Sequence, residues 1–152
     1  GPWLVERRNR RLGAERIVDQ TLKLCTADVS RVSPATREAH IKLAEWRQGR
    51  DDTHRAFADA SRSLVQWMWH RDAVRKNIEQ VQAPTLLIHG DSDRLVNLSA
   101  AAAAAALRPD WTFRVLDNTG HIPQIERPGL FVEIVQEWLA RAQPGVASTS
   151  RR

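Results

Sequence analysis

Two short strand-forming runs, Thr85-Leu86-Leu87-Ile88 and Thr112-Phe113-Arg114-Val115-Leu116, flank a stretch with seven consecutive alanines, Ala100 to Ala106. Alanine has the highest helix propensity of any residue, so Leu98 to Leu107 reads as a helix packed close to a sheet, ended by Arg108-Pro109-Asp110. The first run is continuously apolar and stops at His89-Gly90, the pattern of a parallel strand buried on both faces. Two strands joined through a helix predict a right-handed parallel crossover, the unit of an open α/β sheet. After the second strand, Asp117 to Gln124 is a polar turn. From Pro128 a final helix places Leu130, Phe131, Ile134, Val135, Trp138 and Leu139 on one face.

Upstream of Ala83-Pro84 the texture is helical and no strand candidate is present. Ile17, Val18, Leu22 and Leu24 recur at near-helical spacing between Ala14 and Cys25. Val29 to Pro34 is a break, and Ser33-Pro34 restarts a helix with a hydroxyl cap and a proline at its first position. That helix carries Ile41, Leu43, Ala44 and Trp46, with Gly49 as its expected end. Asp51-Asp52-Thr53 offers the next cap and suits the positive end of a helix dipole. Phe57, Ala60, Leu64, Trp67 and Met68 then form one stripe, and a last helix spans Asp72 to Gln80. The aromatic cluster of Trp46, Trp67, Met68 and Trp69 is expected to pack in a core, since an apolar helix stripe usually faces one.

Composition narrows the function classes. With 152 residues, 42% of them apolar, the chain fits one ordinary domain with a real core. No run approaches the roughly 20 apolar residues a membrane span needs. The arginine-rich start has no apolar segment and does not read as a secretory signal, and Gly1-Pro2 looks like a scar of tag removal. A single cysteine, Cys25, leaves no intrachain disulfide or cysteine zinc site, so a cytoplasmic, reducing location is the expectation. The net charge of +5 is concentrated in the first half, where nucleic acid or anionic lipid would bind. There, however, arginines alternate with acids such as Glu15, Asp19, Glu38 and Glu45, as on a solvated helix face laced with ion pairs. No nucleic-acid partner is therefore expected.

In parallel sheets functional groups gather just past the carboxyl ends of strands. One such loop reads His89-Gly90-Asp91-Ser92-Asp93-Arg94-Leu95-Val96, the other Asn118-Thr119-Gly120-His121-Ile122-Pro123. An aspartate from one and a histidine from its neighbour would meet above the sheet edge. The carboxylate would accept the imidazole N–H, fix its tautomer and leave the other nitrogen as general base. Asp93 and His121 are the candidates. Asp91 is the alternative acid if the turn is offset, and otherwise a turn residue bonding backbone amides. His89 is expected to pack or bond locally. His40, His54 and His70 lie singly on helices, so no zinc is expected. Asp91 with Asp93 opens like a calcium loop, but the glycine and closing glutamate of such a loop are missing. No cofactor is implied.

Over residues 81–141 the sequence closely resembles the α/β-hydrolase family. "APTLLIHGDSDRLV" is similar to that family's strand and acid turn, with Asp93 at the position of the triad carboxylate. "LDNTGHIPQIERPGLFVEIVQEWLA" is similar to its histidine loop and last helix, with His121 in the base position. Acid before histidine agrees with the family's order of nucleophile, acid, base. By the same resemblance, residues 3–80 look like a helical cap and 81–142 like the C-terminal part of the hydrolase core, while 143–152 read as a disordered tail. The resemblance thus implies a partial α/β-hydrolase fold: a helical cap, then a strand-helix-strand-helix parallel unit. In such a cap the tryptophan cluster would line the acyl side of a pocket.

The departures are as informative. The family's nucleophile sits in a Gly-x-Ser-x-Gly elbow, and none of the eight serines here has such flanking glycines. Cys25 reads as a small buried apolar residue. No histidine–glycine segment for an oxyanion hole is present either. The expectation is a C-terminal part of a hydrolase acting on a small acyl substrate, ester-type with a serine nucleophile, carrying acid and base but inactive alone. An aspartate nucleophile, as in the family's haloalkane and epoxide chemistries, stays open. The alternative is a non-catalytic binding or assembly module. The bare edge at Thr85 to Ile88 would then pair with a second copy of the chain or with a complementing N-terminal half.

Overall fold

A computed structural model describes residues 2–48 and 50–142, with the backbone alone at 2–10, 51–54, 68 and 142. Four α-helices come first, α1 (Pro2–Cys25), α2 (Pro34–Gln48), α3 (Asp51–Trp69) and α4 (Arg71–Gln80), with a short 3-10 helix at Val29–Arg31 between the first two. Strand β1 (Leu86–Gly90), α5 (Leu98–Leu107), β2 (Thr112–Leu116), the single turn α6 (Pro123–Glu126) and α7 (Pro128–Ala142) follow. The strands pair in parallel, from Leu86 beside Thr112 to Gly90 beside Leu116. The Thr112 N–H donates to Thr85 O, extending the ladder by one bond.

Local chemistry explains most boundaries. Ser33 Oγ accepts the Thr36 N–H at 3.1 Å ahead of α2, and Asn97 caps α5 by accepting the Ser99 N–H at 2.8 Å. α3 differs from expectation: its N-cap is Arg50, whose side chain does not cap the helix, and the Asp51-Asp52-Thr53 segment lies inside the helix. α1 starts at Pro2 rather than near Ala14. Its arginine-rich opening lacks apolar periodicity but is built largely of good helix formers. The turn after β2 also contains a helix that the sequence reading took as loop, α6, which opens on Pro123 at its first position. The expected stop at Gly49 and the expected disordered tail over residues 143–152 lie outside the described residues.

The principal core lies between α1 and α2, where Ala14, Val18, Leu22 and Ile41 are buried with Val32, Ala44 and Ile122 against them. The seam on α1 therefore runs at four-residue steps, and Ile17 and Leu24 face outward at 53% and 48% exposure. Ion pairs frame it: Arg37 holds both oxygens of Asp19 at 2.7 and 2.9 Å, and Arg11 bonds Glu38 and Glu15. Arg108 joins the helical half to the α/β unit. Its guanidinium donates to the carbonyls of Ile78 and Val81 at the end of α4 while pairing with Asp110.

Two expectations of burial are corrected. β1 is only half-buried over Leu86 to Ile88 and becomes buried at His89 and Gly90, because a two-stranded sheet leaves one of its edges bare. The aromatic cluster does not pack in a core: Trp46, Trp67 and Trp69 are 60%, 46% and 81% exposed, and the Met68 side chain lies outside the described residues. Phe57 and Leu64, on the same α3 stripe as Trp67, are exposed as well.

Ile41 has no exposed surface, and Ile41→Ala leaves a cavity that rigid helix backbones close only in part. The variant is expected to lose about 3 kcal/mol, read as a lower urea midpoint with an unchanged slope.

Candidate functional site

β1 ends at Gly90, and the chain turns through Asp91 to Asn97 into α5. In that turn Asp93 Oδ1 accepts the Leu95 and Val96 N–H groups at 2.8 and 3.0 Å, a local Asx arrangement that fixes the carboxylate. Its other oxygen, Oδ2, faces His121 Nδ1 at 2.8 Å. A carboxylate only accepts, so the bond places the imidazole proton on Nδ1. The Asp93 side chain is 2% exposed and the His121 ring 39%. Burial pushes the Asp93 carboxyl up, but bonds from Val96, His121 and Leu95 outweigh it and hold the group below the ordinary aspartate range.

The two loops are sewn together by backbone. The Asp91 N–H donates to Leu116 O and the Ser92 N–H to Thr119 O, both at 3.0 Å. Gly90 is required here, because a Cβ at that position would fall well inside contact distance of the Thr119 and Gly120 carbonyl oxygens. Gly120 meets the same constraint against Cys25 O. Asn118 is the one described non-glycine residue with positive φ, at 48°, a region asparagine tolerates.

The histidine loop is held from behind by a residue that the sequence reading did not single out. Glu126, on α6, has no exposed side-chain surface. Its carboxylate accepts the Gly120 N–H at 2.7 Å, the Ala27 N–H at 3.1 Å and the Asp28 N–H at 2.9 Å, and pairs with Arg31 at 3.2 Å. The Arg31 guanidinium also donates to Asn118 O at 2.6 Å, and the His121 N–H donates to Cys25 O at 2.7 Å. The segment after α1 is thus bonded directly to the histidine loop. Its sequence neighbours Gln124 and Arg127 are polar as well, so nothing local marked this glutamate out.

The remaining candidates fall elsewhere. Asp91 accepts from Ser92 Oγ at 2.8 Å and lies against the Thr119 N–H, the turn role, while His121 pairs with Asp93. His40 and His70 each bond a carbonyl one turn back in their own helices, and His54's side chain lies outside the described residues. Cys25 is 8% exposed, and burial followed by the Asp93 charge pushes its thiol up, away from the thiolate a nucleophile needs. Among the described residues no cluster of His, Cys, Asp and Glu is able to hold a metal ion. No described helix is long and apolar enough to cross a membrane.

A family model described as alpha/beta hydrolase fold matches residues 8–128. A 2-hydroxymuconate semialdehyde hydrolase from Pseudomonas putida is 35% identical over 66 residues, which is 43% of this chain and 24% of that protein. A monoacylglycerol lipase from Xenopus laevis is 27% identical over 73 residues, 48% of this chain and 22% of that protein. Each match spans less than a quarter of the relative's length. Among solved structures, a serine hydrolase involved in carbazole degradation aligns with a TM-score of 0.61 at 23% identity, covering 84% of this chain and 47% of that one. A bacterial membrane phospholipase A aligns at 0.57 and 18%, covering 85% and 39%. At these identities the structural matches speak for the fold.

Glu126→Ala strands the buried Gly120 N–H, the part-buried Ala27 and Asp28 N–H groups and the Arg31 charge. It is expected to lower stability by about 3 to 5 kcal/mol, measured by urea unfolding. The lowered Asp93 carboxyl sets a pH dependence. Its contribution is complete above the ordinary aspartate value of about 3.9 and is lost as pH falls through the lower folded value. Urea midpoints of the native chain and of Asp93→Asn are therefore expected to converge below about pH 4, having differed at neutral pH.

Proposed function

The chain belongs to the alpha/beta hydrolase fold family, and we propose that within it Asp93 and His121 are the acid and base of a catalytic triad. The observation that carries this reading is the 2.8 Å bond from His121 Nδ1 to an oxygen of the buried Asp93 carboxylate. With its Nδ1 proton committed to Asp93, the ring keeps an unprotonated Nε2. That nitrogen takes the proton of an attacking hydroxyl as general base and later returns it to the leaving group. Asp93 holds the tautomer and stabilises the imidazolium formed in between. The substrate class is a small acyl compound, an ester by preference. The serine nucleophile and the oxyanion donors come from polypeptide outside residues 1–152. Residues 3–80 act as a helical cap on the core unit at 81–142. The curated relatives, a semialdehyde hydrolase and a monoacylglycerol lipase, lend support to hydrolysis.

Two measurements test the reading. A long-range 1H–15N spectrum of the chain at pH 9, where an ordinary imidazole is neutral, is expected to show His121 as the Nδ1–H tautomer, and Asp93→Asn to abolish that preference. A native His121 in the Nε2–H form would sink the assignment. Purified chain is expected to hydrolyse p-nitrophenyl butyrate no faster than its His121→Ala variant, because a base with no nucleophile or oxyanion donors has nothing to activate. Saturable turnover that His121→Ala removes would reveal a nucleophile inside this chain.

A second reading rests on β1, whose outer edge is unpaired among the described residues. Unsatisfied strand N–H and C=O groups accept a further strand, so a second copy or a complementing N-terminal half would dock there without catalysis. Light scattering on dilute chain separates the cases: this reading expects a dimer or larger species, and a well-folded monomer counts against self-pairing.

A further inference from the structure

His89 lies in β1, one residue before Gly90 at the strand's end, and is not used by the proposed triad. Its side chain is 10% exposed, and its Nε2 lies 3.0 Å from Val96 O and 3.6 Å from Asp93 Oδ2. A carbonyl oxygen only accepts, so the nearer contact requires the proton on Nε2 and directs it to Val96. Val96 is the residue whose own N–H binds Asp93 Oδ1 at 3.0 Å. Both backbone polar groups of Val96 are thereby committed, the N–H to the carboxylate and the oxygen to His89. The loop from 89 to 96 is closed by this bond across its mouth, and Asn97 immediately begins the cap of α5. With its Nε2–H committed to Val96, the ring leaves Asp93 Oδ2 to the imidazole of His121.

We propose that His89 is a positioning residue: by donating to Val96 O it locks the turn that aims the Asp93 carboxylate at His121. This rests on the acid–base reading of Asp93 and His121. A histidine that merely filled space would be replaceable by any side chain of like volume. A histidine that positions Asp93 is replaceable only by another donor of similar reach. Glutamine supplies an N–H at comparable distance from the backbone, whereas leucine fills the space and donates nothing.

The test compares the native chain with His89→Gln and His89→Leu by the same long-range 1H–15N spectrum of His121 at pH 9. The native chain and His89→Gln are expected to hold the Nδ1–H tautomer. In His89→Leu the ratio of Nδ1–H to Nε2–H forms is expected to fall about fivefold, the effect of weakening one hydrogen bond. A folded His89→Leu with the native tautomer ratio overturns the proposal and leaves the triad reading standing. Should His89→Leu fail to fold, His89→Gln decides: a native ratio supports the donor role, and a fallen ratio overturns it. A native chain lacking the Nδ1–H form defeats the acid–base reading itself, and the proposal with it.

Discussion

The buried carboxylate of Glu126 is the constraint on which the arrangement depends. An ionised group with no exposed side-chain surface is costly unless its lone pairs are filled. Here they are filled by the backbone of two distant segments, residues 27 and 28 after α1 and residue 120 in the histidine loop, with the Arg31 guanidinium balancing the charge. The geometry that satisfies one carboxylate therefore fixes where two pieces of chain meet. Charge-assisted bonds of this kind are the stronger ones, and dismantling the set leaves a buried ion uncompensated. His121 gains its backbone anchor to Cys25 from the same junction.

Close approach does the rest. Gly90 and Gly120 have no side chain where a neighbouring backbone passes, and this lets the ends of β1 and β2 lie near enough for one carboxylate to reach one imidazole. Parallel pairing brings residues 90 and 116 side by side, so the loops that follow leave the sheet on the same edge. Asp93 and His121 thus sit on short turns whose positions are set by strands, by backbone bonds between the turns and by one buried acid.

What was legible in the sequence was local. The alanine run, the strand at Thr112 to Leu116 and the cap at Ser33 follow from propensity and short-range hydrogen bonding, and the structure has them where the residues say. The pairing of residue 93 with residue 121 was legible through topology, since adjacent parallel strands leave few other places for their loops. Glu126 was not, because its partners lie 98 and 99 residues away and no periodicity encodes them. Nor was the fate of the α3 stripe. Phe57, Leu64 and Trp67 have the spacing of a packed face, yet spacing states only that a face is apolar, not that something lies on it. On α1, Ile17, Val18, Leu22 and Leu24 had the spacing of a face, whereas the buried seam keeps Val18 and Leu22 and adds the small Ala14.

The unequal exposure of the paired side chains, 2% for the carboxylate and 39% for the ring, gives the couple a direction. Water reaches the imidazole freely and the aspartate hardly at all. In the proposed acid–base pair the carboxylate works as a fixed field on the ring, since solvent has little access to it. Such an asymmetry lets a single ring both meet the outside medium and stay oriented by a charge that the medium cannot screen.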